Sequence, residues 1–226
     1  MPGADRAPVA SCGGLCADYR TATGAAPALR DVDATFAAAR LTVVAGPSGS
    51  GKSTLLRILA GRHRPTSGMV EVLGVPLTGL HHRARRRLRR HALGIVLQQP
   101  AANLIEDLRL GEQLELAARL RGAGRQDATA LLDAVGLVGL EDHPVSALSG
   151  GQQQRAAFAA AAIGGPALVL ADEPTAQLDG VAGRALVHVM RSLLDRGTSL
   201  VVASHDPEVI DAADDRLVLA QGRVAG

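Results

Sequence analysis

Short apolar runs punctuate the chain, with longer stretches of mixed character between them. They are "LTVVA" (41–45), "MVEVL" (69–73), "LGIVL" (93–97), "ALVLA" (167–171), "SLVVA" (199–203) and "RLVLA" (216–220). Several are unbroken rather than alternating, the pattern expected of strands buried on both faces. Helical periodicity fills the gaps at 52–60, 111–121, 126–135, 150–163, 181–196 and 207–213. Strands alternating with helices predict an α/β fold whose mostly parallel central sheet is covered on both sides.

Residues 101–147 interrupt that alternation. They carry helix-period segments such as "GEQLELAARLR" (111–121) and a turn, "RGAG" (121–124), but no convincing strand. The expectation is one domain over 1–226, with a helical subdomain of about residues 98–147 inserted in its α/β core. The basic run "HHRARRRLRRH" (81–91) predicts a solvated helix face with Leu88 turned inward, although such a run could also touch anionic lipid or nucleic acid. Cys12 and Cys16 read as small residues of a first strand, since no histidine stands near them in the sequence to help build a metal site.

Composition narrows the classes. Aromatic residues are 1% of the chain, so the core must be built from Val, Leu, Ile and Ala, and a base-stacking nucleic-acid surface is disfavoured. The formal charge of +2 is too near neutrality to point to a partner. The opening "MPGADRAPVASCGG" lacks the continuous apolar segment of a signal peptide. The uncharged stretch "AAFAAAAIGGPALVLA" (156–171) is shorter than a bilayer span and broken by Gly-Gly-Pro. A cytoplasmic protein that meets a membrane only through a partner is expected.

One charged residue stands apart. Of the 24 cationic side chains only Lys52 is a lysine, and it lies in "GPSGSGKS" (46–53). That stretch fits the phosphate-loop pattern G-x-x-x-x-G-K-[ST] and joins an apolar strand to a helix. Gly46, Gly49 and Gly51 allow backbone conformations that turn successive N–H groups of Gly46, Pro47, Ser48, Gly49, Ser50 and Gly51 toward one hollow, proline contributing shape but no donor. The helix opening near Lys52 adds its N-terminal dipole and free N–H groups. Lys52 is placed to reach the β- and γ-phosphates of a nucleoside triphosphate, Ser53 to ligate Mg²⁺ and Thr54 to touch a phosphate oxygen.

Other stretches narrow the chemistry. "LVLADE" (168–173) ends an apolar strand in two carboxylates: Asp172 suits Mg²⁺ held through water, and Glu173 suits a general base for the attacking water. "LSGGQQQR" (148–155) places Ser149, Gly150 and Gly151 in a small-residue turn opening a helix, a second anion-binding geometry.

With these motifs the chain resembles the ATP-binding-cassette (ABC) ATPase family over roughly residues 15–222. The resemblance implies a P-loop NTPase fold with an N-terminal antiparallel β part and cofactors ATP and Mg²⁺. It also implies that Leu148, Ser149, Gly150, Gly151 and Gln152 face the γ-phosphate of ATP held by a second nucleotide-binding subunit. By the same resemblance, Gln98 in "GIVLQQ" touches Mg²⁺ and the attacking water, with Gln99 as the neighbouring alternative. Asp179 ends the "AQLD" loop, where Ala176 replaces the serine of many members. His205 in "VVASHDP" binds the γ-phosphate and orients Glu173, though alone it would read as a polar strand cap. Tyr19 is placed to stack on adenine, against the alternative of an ordinary half-buried strand residue.

"ADEPTAQLD" (171–179) and "NLIEDLRLGEQLEL" (103–116) resemble the lipoprotein-export, macrolide-export and cell-division branch. The resemblance implies an ATPase subunit that dimerises around two ATP, as homodimer or heterodimer, and drives a transmembrane permease from the inner face of the plasma membrane. A non-transport ABC ATPase acting on a membrane scaffold, nucleic acid or the ribosome is the alternative.

Overall fold

In the computed structural model, which describes residues 7–21 and 24–225, five of the predicted runs share one sheet. Its strands are β3 (Leu41–Ala45), β6 (Leu93–Val96), β7 (Leu168–Asp172), β8 (Ser199–Ala203) and β9 (Asp215–Ala220), closed by the short β10 (Arg223–Val224). The order is β10-β9-β3-β8-β7-β6, parallel throughout except for the β9–β10 hairpin. Adjacent residues of one strand feed different cores: Val43 and Val169 face one side, Val44, Leu168 and Leu170 the other. Burial on both faces is why these runs do not alternate.

The run at 69–73 goes elsewhere. β4 (Ser67–Val72) is antiparallel to β1 (Ala10–Thr21), which pairs with β2 (Gly24–Phe36); the short β5 (Val75–Pro76) completes this second sheet in the order β2-β1-β4-β5. Glu71 breaks the apolar run, Val70 and Val72 are buried, and Met69 is exposed. Such one-sided burial belongs to an antiparallel sheet with a solvated face. β2 is invisible as an apolar run because only Leu29, Val32 and Phe36 are its buried hydrophobics, at irregular spacing. The register shifts between β1 and β2 account for that irregularity.

Helix α1 (Lys52–Leu59) follows β3 and packs into the core shared with the antiparallel sheet. Between β6 and β7 come α3 (Leu110–Arg121) and α4 (Arg125–Ala134), then α5 (Gly150–Ala162), and α6 (Gly180–Asp195) and α7 (Pro207–Asp211) follow the later strands. Buried residues of α3, α4, α5 and α6 join the other core. Arg121 ties α3 to this frame. Its guanidinium donates to Ala160, Ala161 and Ile163 carbonyls at 2.9 Å and to the Leu93 carbonyl at 3.0 Å. Those first three carbonyls belong to the end of α5, where a helix leaves acceptors unpaired and favours positive charge.

The basic run forms α2 (His82–Ala92), a largely solvated helix whose Leu88 turns inward as expected, and one further residue of it is buried. Leu88 does pack against a core, but only half-buried; the buried residue is Arg85. Its guanidinium donates to Leu77 O at 2.7 Å and Leu80 O at 3.0 Å. A long cation reaching two carbonyls can turn inward where its charge alone could not.

Candidate functional site

β3 delivers the chain to a loop that α1 leaves again within a few residues, so the loop must fold tightly. Gly46 has φ 141°, and a Cβ there would fall 2.1 Å from the Leu219 carbonyl oxygen. Gly51 caps α1 with φ 105°, and its Cβ would fall 2.6 Å from Ala28 O. Both positions require glycine on conformation and on space. Lys52 Nζ folds back over the loop and donates to Gly46 O at 2.8 Å and Pro47 O at 3.1 Å, and the residue is only 8% exposed. The amine therefore sits in a seat made by the loop itself.

The loop borders an open cleft of about 690 Å³. Residues 46–54 line one side, and Tyr19, Gln98, Glu173, Ala176 and His205 are among those that line the rest. Segments distant in sequence thus converge on one hollow. Gln98, not Gln99, lines it; Gln99 instead precedes the 3-10 turn Pro100–Ala102, its backbone carbonyl accepting from Ala102 N at 3.0 Å. Tyr19 reaches across to Thr54, hydroxyl to hydroxyl at 3.2 Å. Its ring also meets His63, centroid to centroid 4.9 Å and tilted by 33°. Sequence reasoning misses His63, because one histidine after a helix carries no motif. Ala26, Pro27 and Ala28 of β2 also line the cleft, and small residues in an unrecognised strand give no signal either.

Ser53 Oγ donates to Asp172 Oδ1 at 3.0 Å, bringing the start of α1 to the end of β7. Burial pushes the Asp172 carboxyl above the usual range, and neighbouring Glu173 pushes the same way, against the Ser53 hydrogen bond. A buried carboxylate beside a hydroxyl fits a hard cation taking oxygen ligands. Among the described residues no three His, Cys, Asp or Glu side chains form a cluster able to hold a metal alone. Mg²⁺ bound here would therefore need phosphate oxygens as further ligands, its usual mode at nucleotide sites.

Glu173 is the most constrained residue of the site. Its φ of 50° lies in the left-handed region, which costs a non-glycine residue about 1–3 kcal/mol. Its N–H donates to Ala203 O at 2.8 Å, and Gln154 Nε2 donates to its carbonyl at 3.4 Å. Carboxylate Oε1 lies 3.0 Å from His205 Nδ1, while Oε2 is buried without a hydrogen-bond partner. The buried, half-satisfied carboxylate borders the cleft and is held from one side only.

The 148–152 segment lies apart. None of it lines the cleft. Leu148 is buried, and Ser149 caps α5: Gln152 N donates to Ser149 Oγ at 3.3 Å, while Ser149 N donates to Gln152 Oε1 at 2.8 Å. This reciprocal capping box leaves the first turn of α5 at the surface. Gly150 and Gly151 abut residues 177 and 178; a Cβ on Gly150 would meet Gln177 Oε1 at 2.6 Å. Asp179 ends the same loop and caps α6 by accepting from Ala182 N at 2.8 Å. The structure thus gathers Tyr19, residues 46–54, Gln98, Asp172, Glu173 and His205 at one place, and leaves Leu148–Gln152 and Asp179 at another.

Comparison with known proteins agrees with this geometry. The family model described as "ABC transporter" matches residues 29–176. The chain is 40% identical over 205 residues to the lipoprotein-releasing system ATP-binding protein LolD of Bordetella pertussis, covering 87% of this chain and 86% of that one. It is 36% identical over 200 residues to the macrolide export ATP-binding/permease protein MacB of Salmonella typhi, covering 87% of this chain but 31% of MacB. Among solved structures, a dimeric bacterial ABC transporter cassette superposes with a TM-score of 0.89 at 31% identity, over 96% of this chain and 97% of that one. A dimeric post-hydrolysis state of that cassette, bound to ADP and Pi, gives 0.90 at 30% identity over the same shares.

Proposed function

The chain belongs to the ABC transporter family as an ATP-binding, ATP-hydrolysing subunit, and we propose that two such cassettes close head to tail around two ATP molecules to drive a transmembrane permease. One observation carries the dimer: Ser149 and the first turn of α5 lie at the surface, outside the cleft that holds Lys52. The anion-binding turn of one copy is thereby free to cap the nucleotide of another, and a two-fold pair completes both sites at once. The dimeric state of the superposing cassette supports this reading.

Within each site the loop amides and Lys52 hold the β- and γ-phosphates, and the Tyr19 ring offers a face to the base. Ser53, Asp172 and Gln98 would hold Mg²⁺, which when bound would supply neutralisation of phosphate charge. Glu173 accepts a proton from the attacking water, since it is buried at the cleft wall and hydrogen-bonded to His205. His205 fixes Glu173 and donates to the γ-phosphate; Lys52 and the 149–151 turn of the second copy stabilise the charge of the transferring group.

Among the described residues no helix is long and apolar enough to cross a membrane. MacB is named as an ATP-binding protein and permease in one chain, and LolD as an ATP-binding protein of a release system. We read this chain as a single nucleotide-binding domain lying on the inner face of the plasma membrane through a separate permease, with the 98–147 region transmitting movement. Glu173→Gln tests the central claim. With ATP and Mg²⁺ the variant is expected to run as a stable dimer in light scattering; a variant that stays monomeric overturns the sandwich.

A further inference from the structure

Tyr19 is held at two points, one in the first turn of α1 and one just past its end. At the first, its hydroxyl meets Thr54 Oγ1 at 3.2 Å. At the second, its ring meets that of His63, centroid to centroid 4.9 Å and tilted by 33°. The spacing is too short for two rings side by side in one plane, and the tilt too small for edge-to-face contact. The pair is therefore an offset stack. Tyr19 and Thr54 line the nucleotide cleft, whereas His63 does not. The imidazole thus lies against the ring from outside the cleft.

The backbone that carries His63 is itself pinned. The N–H groups of Arg62 and His63 both donate to Arg57 O, at 2.8 and 3.1 Å, which folds the turn back on the end of α1. Three residues on, Thr66 N donates to Cys16 O at 2.8 Å, and Thr66 Oγ1 accepts from Asp18 N at 3.0 Å. Those two bonds fasten the segment to β1 beside Tyr19. On its other side β1 pairs with β2, where Ala26 stands opposite Tyr19 and lines the cleft with Pro27 and Ala28. None of the three carries a side-chain hydrogen-bonding group. A base beside Tyr19 therefore gains chiefly from the face of the ring.

We propose that His63 is a positioning residue for nucleotide binding: stacked on the outer side of the Tyr19 ring, it holds that ring as the platform for the base. This rests on the reading that Tyr19 faces the base. The Thr54 contact alone cannot fix the platform. The phenolic oxygen lies on the axis through Cβ and Cζ, so the ring can turn about that axis with the contact kept. Rotation there is soft, because the torsion joins tetrahedral to planar carbon. A flat neighbour on one face stops the turn and leaves the other face presented. The ring's freedom is then removed on folding, and the nucleotide does not have to remove it on binding.

The test titrates the full chain with ADP and with pyrophosphate, which share the two phosphates and differ in the base and sugar, by calorimetry with Mg²⁺. His63→Ala is expected to weaken ADP about fivefold while leaving pyrophosphate within about twofold of the parent. His63→Phe, which keeps a flat ring at the position, should restore most of the ADP affinity. In a Tyr19→Leu background, removing His63 should cost nothing further, since the two act as one unit. In turnover the loss should fall on KM for ATP and not on kcat at saturation. Equal weakening of ADP and pyrophosphate would make His63 a prop of the loop and overturns the proposal. Parental or tighter ADP binding by His63→Ala, or a His63→Phe variant no better than His63→Ala, also overturns it. Tyr19→Leu separates this from the underlying reading, since it should weaken ADP at least about tenfold. If Tyr19→Leu binds ADP as the parent does, the base-facing reading of Tyr19 fails. A weakened Tyr19→Leu beside an unaffected His63→Ala removes only the positioning role.

Discussion

His205 Nδ1 lies 3.0 Å from Glu173 Oε1, yet the two side chains live in different media: the histidine is 75% exposed and the glutamate 10%. A solvent-facing ring holds a buried carboxylate that stands on a left-handed backbone. Removing the ring leaves Glu173 buried but unaimed. His205→Ala is expected to lower the ATPase kcat by about 10²-fold, the usual worth of a positioned acid–base element, with ATP affinity changed far less. Steady-state turnover and equilibrium ATP binding, measured on the same preparation, separate the two.

Lys52→Arg keeps the charge and changes the shape. The ammonium sits between Gly46 O and Pro47 O in a seat 8% exposed, and a planar five-donor fork does not fit there. Loss of most ATPase activity is expected, by about 10²-fold or more, with a thermal midpoint within a few degrees of the parent. Parent-level turnover would sink the geometric argument.

Asp172 makes stability depend on pH. Its folded-state carboxyl titrates above the unfolded one, because burial disfavours the charge. Its contribution is thus fully present in acid, below the unfolded carboxylate range, and is lost as pH rises through the raised folded value. Asp172→Asn mimics the protonated form and still accepts from Ser53. Without nucleotide the variant should be more stable than the parent at pH 7, by about 1 kcal/mol, with the gap closing near pH 4. Thermal denaturation at the two pH values reads this directly, and the same variant should lose Mg²⁺-dependent hydrolysis.

Arg121 presents the opposite case, a half-buried cation that holds the fold. Four carbonyls accept from it, and burial pushes its guanidinium below the usual arginine range. Arg121→Met leaves those acceptors without a donor and should cost about 3 kcal/mol. Arg121→Lys, a point donor in place of a fork, should recover only part. Urea denaturation with an unchanged m-value is the measurement.

The chemistry was legible where it is local and the fold where it is repetitive. Residues 46–54 fold by rules written within the segment, and the doubly buried strands announce themselves through continuity. The mixed cases were not. β2 buries too few side chains to be seen as a run, so Ala26, Pro27 and Ala28 could not be placed at the cleft. Arg85 looks like any arginine of its run, because what buries it is two carbonyls at Leu77 and Leu80. His63 meets Tyr19 only through the packing of two elements. Backbone acceptors and tertiary neighbours leave no mark on residue type.

A chain with one lysine has one side-chain amine. Reagents that acylate amines therefore find a single side-chain target, and its nitrogen is seated over the phosphate loop between Gly46 and Pro47. Side-chain labelling that in most proteins scatters over a whole surface is confined here to the floor of the nucleotide cleft. The rate of modification becomes a direct gauge of whether that cleft is filled.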